Sequence, residues 1–166
     1  MGIFLDKKNK TFYNGNIKSG RILKTTIYKC DISGVHMVER KEYLEKLISW
    51  KDEQVIKVVT GIRRCGKSTL LDLYKEYLQK NGVAAEQIIS VNFEELENEW
   101  LLDYKVLYDY LVKKLQAGKT TYIFLDEIQK VDGFEKVVDS LYVKKDVDVY
   151  ITGSNSYLLS GELATL

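Results

Sequence analysis

One short segment of the chain has the residue types and the spacing of a phosphate-binding loop. It fits the motif G-x-x-x-x-G-K-[ST] in full. Gly61 and Gly66 let the backbone turn so that successive N–H groups face one concavity at a helix N-terminus, where an anion is favoured. Lys67 would neutralise the β- and γ-phosphates of a nucleotide, and the Ser68 hydroxyl would ligate Mg²⁺. The predicted nucleotide-binding residues are Gly61, Ile62, Arg63, Arg64, Cys65, Gly66, Lys67, Ser68 and Thr69.

Two adjacent carboxylates at the end of a later apolar strand supply the complementary chemistry. Asp126 would hold Mg²⁺ together with Ser68, and Glu127 would polarise or deprotonate an attacking water. Asn155, after a further strand, would orient that water or touch the γ-phosphate; the alternative is an ordinary turn residue. The predicted catalytic residues are Lys67, Glu127 and Asn155, and the predicted metal ligands are Ser68 and Asp126.

Alternating strands and helices have to position these residues. Helical spacing of apolar residues and short β-branched runs predict helices over 43–48, 70–78, 101–115 and 134–141, and strands over 55–59, 88–93, 122–125 and 147–151. This order predicts an α/β fold with a parallel sheet that helices cover on both faces. Because ligands bind beyond the carboxyl ends of parallel strands, the loop and Asp126 should share one edge.

The composition bounds the class of protein. The chain is 45% hydrophobic and 30% charged, which is typical of a globular domain. No apolar stretch reaches the roughly 18 residues of a membrane span, and the first residues do not resemble a signal peptide. We therefore expect a cytoplasmic protein without a membrane anchor.

The charge is unevenly distributed along the chain. Residues 1–37 carry a net charge of +5 and the remainder carries −4. We expect residues 1–36 to be a basic extension, separate from the domain, with a β-ribbon that turns at Asn14-Gly15. The extension either binds nucleic acid or another polyanion, or is a solvated surface.

Four segments of the sequence also resemble a prokaryotic AAA-type P-loop ATPase family, whose members usually carry a nuclease-like C-terminal domain. These segments are Glu39–Leu44, Gly61–Leu70, Leu125–Gln129 and Thr152–Ser156. The resemblance covers about residue 37 to the end. It implies the P-loop NTPase fold of the AAA/ASCE type, with ATP or ADP and Mg²⁺ as ligands. It also implies the roles given above for the loop, the carboxylates and Asn155, and it places Arg40 near the adenine or ribose.

The chain departs from that family's pattern at both ends. Relatives typically start near Met37 and continue beyond Leu166, so residues 37–166 are expected to form a truncated core that lacks its last strand. The strand before the loop would then be an exposed sheet edge, which favours self-association. No arginine follows Arg64, so turnover should be weak without an arginine finger. Arg63 and Arg64 either curl back over the phosphates or face solvent and acidic neighbours.

Three functions remain open at this point. The first is a Mg²⁺-dependent ATP hydrolase that couples to an unknown partner, which an acidic residue next to Asp126 favours. The second is a nucleotide-binding switch that does not turn over. The third is a small-molecule P-loop kinase, whose substrate would supply the nucleophile in place of water.

Overall fold

The computed structural model describes residues 3–6, 11–14, 23–28 and 40–154. Three strands lie in the basic N-terminal segment: β1 (Ile3–Asp6), β2 (Thr11–Asn14) and β3 (Leu23–Tyr28). β1 and β2 pair antiparallel. A ribbon is therefore present, but β2 pairs with the strand that precedes it; the predicted strand after Gly15 lies outside the described residues.

From residue 40 onward, helices and strands alternate as the sequence predicts. The elements are α1 (Arg40–Ser49), β4 (Ile56–Gly61), α2 (Lys67–Lys80), β5 (Ile88–Asn92), α3 (Tyr104–Lys114), β6 (Thr121–Asp126), α4 (Phe134–Tyr142) and β7 (Val147–Ser154). The third predicted helix begins later than expected. Asp103 caps it by accepting hydrogen bonds from the N–H groups of Lys105 (2.8 Å) and Val106 (3.1 Å), and the residues before Asp103 form a 3₁₀ turn instead.

Five parallel strands form the central sheet in the order β3-β4-β7-β6-β5. β7 lies between β4 and β6, with Gly61 opposite Ser154 and Leu125 opposite Ile151. Because all five strands run the same way, their carboxyl ends meet at one edge. The α/β fold with a parallel sheet is therefore confirmed.

The expectation of an exposed edge at β4 is wrong. β3 pairs with β4 along its whole length, from Leu23 opposite Ile56 to Tyr28 opposite Gly61. The backbone groups of β4 thus have partners on both sides, β3 on one and β7 on the other. β3 therefore belongs to the same sheet as the core strands, although the charge pattern predicts a separate basic extension. A domain boundary at residue 36 would cut through this sheet.

The two faces of the sheet carry separate apolar cores. Side chains alternate along β4, so Ile56 and Val58 face the core under α3 and α4 whereas Val59 faces the core under α1 and α2. The first core includes Leu107 and Val138, and neither of these side chains is accessible to solvent. This packing fixes β4, β6 and β7 relative to one another, and these three strands carry the predicted site. None of the helices that the structure describes has the length and apolar character needed to cross a bilayer.

A buried ion pair joins the amino-terminal halves of β4 and β7, away from the loop. Lys57 is fully buried, and its Nζ donates to an oxygen of Asp148 and to the backbone oxygen of Glu53 (2.6 Å). The second Asp148 oxygen accepts from the backbone N–H of Asp52 (3.0 Å) and from the Tyr150 hydroxyl (2.9 Å). Burial lowers the pKa of Lys57 and raises that of Asp148, although each partner opposes the shift of the other.

A neighbouring tyrosine gives stability a dependence on alkaline pH. The Tyr122 hydroxyl donates to Asp52 (2.7 Å), and burial raises the pKa of Tyr122 from 10.0 to about 12. Folding therefore favours the protonated hydroxyl, a contribution that is complete below pH 10 and lost as pH rises towards about 12. Over this range we expect the urea midpoint of the native chain to fall more steeply than that of Tyr122→Phe. Parallel decreases in the two proteins would contradict this assignment.

Candidate functional site

The backbone between β4 and α2 takes an irregular path that the loop motif requires. Gly66 has φ 92° and immediately precedes α2, and Arg64 also has a positive φ of 62°. A glycine at the first of these positions avoids the strain that a Cβ would introduce. Among the described residues no side chain caps α2, and its first turn contains no acidic residue. The N-terminal N–H groups and the positive end of the helix dipole are thus left for an anion.

Lys67 is directed back over the loop from the first position of α2. Its side chain is only 4% exposed, and Nζ lies 3.4 Å from the backbone oxygens of Gly61 and Ile62. The same nitrogen is 3.1 Å from Oε1 of Glu127. The structure therefore brings the loop lysine and the second predicted carboxylate into direct contact.

Thr152 connects the two carboxylate residues to β7. Its hydroxyl donates to Oδ1 of Asp126 and accepts from the backbone N–H of Glu127 at 3.0 Å. All three residues are buried. The sequence analysis did not assign this role to Thr152. The available signal was a hydroxyl residue near the end of β7, the strand between β4 and β6.

The backbone of Glu127 lies in the left-handed region, with φ 55° and ψ 45°. This conformation is uncommon for a residue with a Cβ and is associated with functional sites. It starts the 3₁₀ turn Ile128–Lys130, which brings the Gln129 amide nitrogen to Oε2 of Glu127. The carboxylate thus has Lys67 on one oxygen and Gln129 on the other. Sequence reasoning assigned Gln129 no role.

The other predicted loop residues are more open to solvent. Ser68 and Thr69 are exposed in the first turn of α2, and Ile62 is 48% exposed. Arg63, which is 77% exposed, pairs with Glu94 at 2.9 Å. Of the two alternatives for Arg63, the structure shows pairing with an acidic neighbour. Cys65 lies in the loop and is partly buried, and Arg64 is exposed.

Two predicted residues have no described side-chain position. Arg40 is the first residue of α1, but its side chain is not described. Asn155 lies outside the described residues, one position beyond the end of β7. Since Ser154 is opposite Gly61 in the sheet, the chain leaves β7 beside the start of the loop. The roles of Arg40 and Asn155 remain predictions.

The side chains at this edge fit a nucleotide with a hard divalent cation. Asp126 and Ser68 offer oxygen ligands, and Mg²⁺ is usually held by one or two protein oxygens together with substrate phosphates. In the described part of the chain, no group of three or more His, Cys, Asp or Glu side chains is arranged to hold a metal by itself. A divalent cation at this edge would therefore need further oxygen ligands, such as those of nucleotide phosphates, in addition to the protein side chains.

A known protein family matches most of this chain. The profile of a family described as AAA domain matches residues 53–166. The chain belongs to this AAA domain family. It is accordingly a nucleotide-binding, ATPase-like domain of the P-loop class, as the sequence motifs predict.

Two curated relatives are similar in sequence to this chain, and their names state no activity. An uncharacterised protein of Haemophilus influenzae is 46% identical over 131 residues, which cover 78% of this chain and 33% of the relative. An uncharacterised protein of Methanocaldococcus jannaschii is 37% identical over 112 residues, which cover 66% of this chain and 23% of the relative. The chain thus spans a third or less of each relative. No solved structure matches it.

Proposed function

We propose that this AAA domain binds ATP and hydrolyses it to ADP and phosphate with the help of Mg²⁺. The observation that carries the proposal is the 3.1 Å contact between Lys67 and Glu127, beside Asp126. It brings a phosphate-binding cation and a candidate general base together at the edge where parallel strands bind ligands.

In the proposed reaction, the phosphates lie against the N-terminal N–H groups of α2, and Lys67 moves from Glu127 to the β- and γ-phosphates. Mg²⁺, held by Ser68 and Asp126, would neutralise phosphate charge. Glu127, released from Lys67, accepts a proton from water as the water oxygen attacks the γ-phosphorus. The bond from that phosphorus to the bridging oxygen of ADP breaks, and ADP leaves with the electron pair.

Glu127→Gln tests whether this carboxylate is the base. We expect phosphate release at saturating ATP to fall by about 10²-fold or more, because an amide does not accept the proton. Affinity for a fluorescent ATP analogue should be retained or increased, since Lys67 loses the counter-ion that competes with phosphate. Release of phosphate is compared among the native chain, Glu127→Gln and the control Glu86→Gln, which alters an exposed glutamate in the 3₁₀ turn before β5. Equal rates for native and Glu127→Gln would refute hydrolysis through Glu127.

The second candidate function is a nucleotide-binding switch without turnover. It is favoured by the pairing of Arg63 with Glu94, which leaves that arginine on the surface and away from the phosphates. A switch would bind the analogue, and its phosphate release would be negligible in both the native chain and Glu127→Gln. The same two assays therefore separate the candidates.

Coupling to a partner is a further part of the proposal. The net charge of +5 in residues 1–37 favours a polyanion such as nucleic acid. Deleting this segment would also remove β3 from its place beside β4. Charge-reversing substitutions of Lys7, Lys8 and Lys10 therefore test polyanion binding more cleanly than a truncation.

A further inference from the structure

Gln129 occupies a position beside the proposed base that no role assigned so far explains. It is partly buried in the 3₁₀ turn Ile128–Lys130, directly after β6. Its amide nitrogen donates to Oε2 of Glu127. Its carbonyl oxygen, Oε1, is buried and accepts no hydrogen bond from any described group. A buried acceptor without a hydrogen bond is destabilising, so the orientation of this side chain favours the contact of its nitrogen at the expense of its oxygen.

The two donors on Glu127 differ in what a nucleotide would do to them. Lys67, on Oε1, is the cation that the phosphates attract. Gln129 carries no charge and comes from the turn that Glu127 itself begins, so a phosphate attracts it less than it attracts Lys67. When Lys67 moves to the phosphates, the contact to Gln129 is the one that stays.

The backbone of Glu127 fixes the point from which its side chain extends. Its left-handed φ of 55° and the 3.0 Å hydrogen bond from its N–H to Thr152 fix the Cα position. Several side-chain torsions still separate that atom from the carboxylate, and they need a second anchor. Gln129 provides an anchor at the carboxylate itself.

We propose that Gln129 is a positioning residue, which holds Glu127 at the angle needed to accept a proton from the attacking water. The inference rests on the proposed ATP hydrolysis. It predicts that loss of the amide donor lowers the rate at saturating ATP and hardly changes nucleotide binding, because Gln129 acts only after Lys67 has left Glu127.

The main test is Gln129→Glu, which keeps the size and shape of the side chain but replaces the donor by an oxygen that repels Glu127. We expect phosphate release at saturating ATP to fall about tenfold or more. Gln129→Met, which lacks both polar atoms and adds no charge, should show the same loss of release with an affinity for ADP within about twofold of native. The matched control is Gln79→Glu, the same chemical change at an exposed position near the end of α2.

A double-mutant cycle identifies the route by which Gln129 acts. If it acts through Glu127, adding Gln129→Glu to Glu127→Gln causes no further loss of phosphate release. The same fractional loss in both backgrounds would overturn the inference, as would near-native release by Gln129→Glu or a parallel loss of ADP affinity in both Gln129 variants. If the native chain releases no more phosphate than Glu127→Gln, the proposed function and the inference both fail. If native release exceeds that of Glu127→Gln and Gln129→Glu matches native, the inference alone fails.

Discussion

Replacing Lys67 by alanine is expected to weaken the binding of ATP by at least about two orders of magnitude. Charge-assisted hydrogen bonds contribute about 1.5–3 kcal/mol each, and Lys67 would make them to two phosphates. The variant also leaves Glu127 buried without its cation, next to the place where the phosphates bind. An unpaired buried carboxylate repels a polyphosphate, so the loss should exceed that of the hydrogen bonds alone.

The measurement is a titration of a fluorescent ATP analogue, with and without Mg²⁺. Lys80→Ala is the matched control, because Lys80 is at the opposite end of α2, is 75% exposed and pairs with Glu76 at 3.4 Å. It should bind like the native chain. Adding Glu127→Gln to Lys67→Ala should restore part of the affinity, since the repelling charge is removed. Equal affinity of Lys67→Ala and the native chain would remove the basis for a phosphate site in this loop.

The placement of the loop and the two carboxylates at one edge of the sheet was predictable because both segments are encoded locally. Gly66, Lys67 and Ser68 are within one short motif, and Asp126 and Glu127 directly follow an apolar strand. Once strands and helices alternate, the preference for parallel βαβ units brings both segments to one edge. Local spacing and this general rule were sufficient to place the loop and the carboxylates at the same edge of the sheet.

The parts that sequence reasoning missed depend on pairing between distant segments or on an unusual backbone angle. β3 pairs with β4, although about 30 residues separate them and the charge pattern sets residues 1–36 apart. Nothing local in a strand specifies its partner, so the neighbour of β4 was not predictable. The contact of Gln129 with Glu127 follows from the left-handed conformation at Glu127, which an L-residue rarely adopts.

Lys57 shows the same limit within the core. A lysine in a run of β-branched residues predicts a strand position that faces solvent, yet Lys57 is fully buried. Its partner, Asp148, is 91 residues away and occupies a neighbouring strand. Only the sheet order β4-β7 shows that the two charges meet, and this order depends on the whole fold.

The Asp148→Ala variant should be strongly destabilised, although Asp148 lies away from the nucleotide site. It would leave the buried Lys57 ammonium with the Glu53 backbone oxygen but without a carboxylate. It would also remove a carboxylate acceptor of the Tyr150 hydroxyl. Breaking a buried ion pair from one side costs about 3–5 kcal/mol, which is a large share of the stability of a typical domain. Urea denaturation should show this as a large decrease in the midpoint.

Two further variants isolate the buried pair as the cause. Asp72→Ala breaks the pair between the exposed Asp72 and the partly exposed Lys75, and it should cost about 1 kcal/mol or less. Lys57→Met combined with Asp148→Leu removes both buried charges and should be more stable than Asp148→Ala alone, because no ion remains unpaired. A double variant less stable than Asp148→Ala would show that the pair itself, and not the unpaired lysine, accounts for the loss.

The same experiment separates the fold from the site. Lys57 and Asp148 lie in the amino-terminal halves of β4 and β7, whereas Gly61 and Thr152 lie towards the carboxyl ends of the same strands. A saturating ligand that binds only the folded state stabilises it by an amount set by ligand concentration and affinity. ADP should therefore increase the free energy of unfolding, as measured by urea denaturation, by the same amount in Asp148→Ala and in the native chain. A smaller increment in Asp148→Ala would mean that the buried pair also shapes the nucleotide loop.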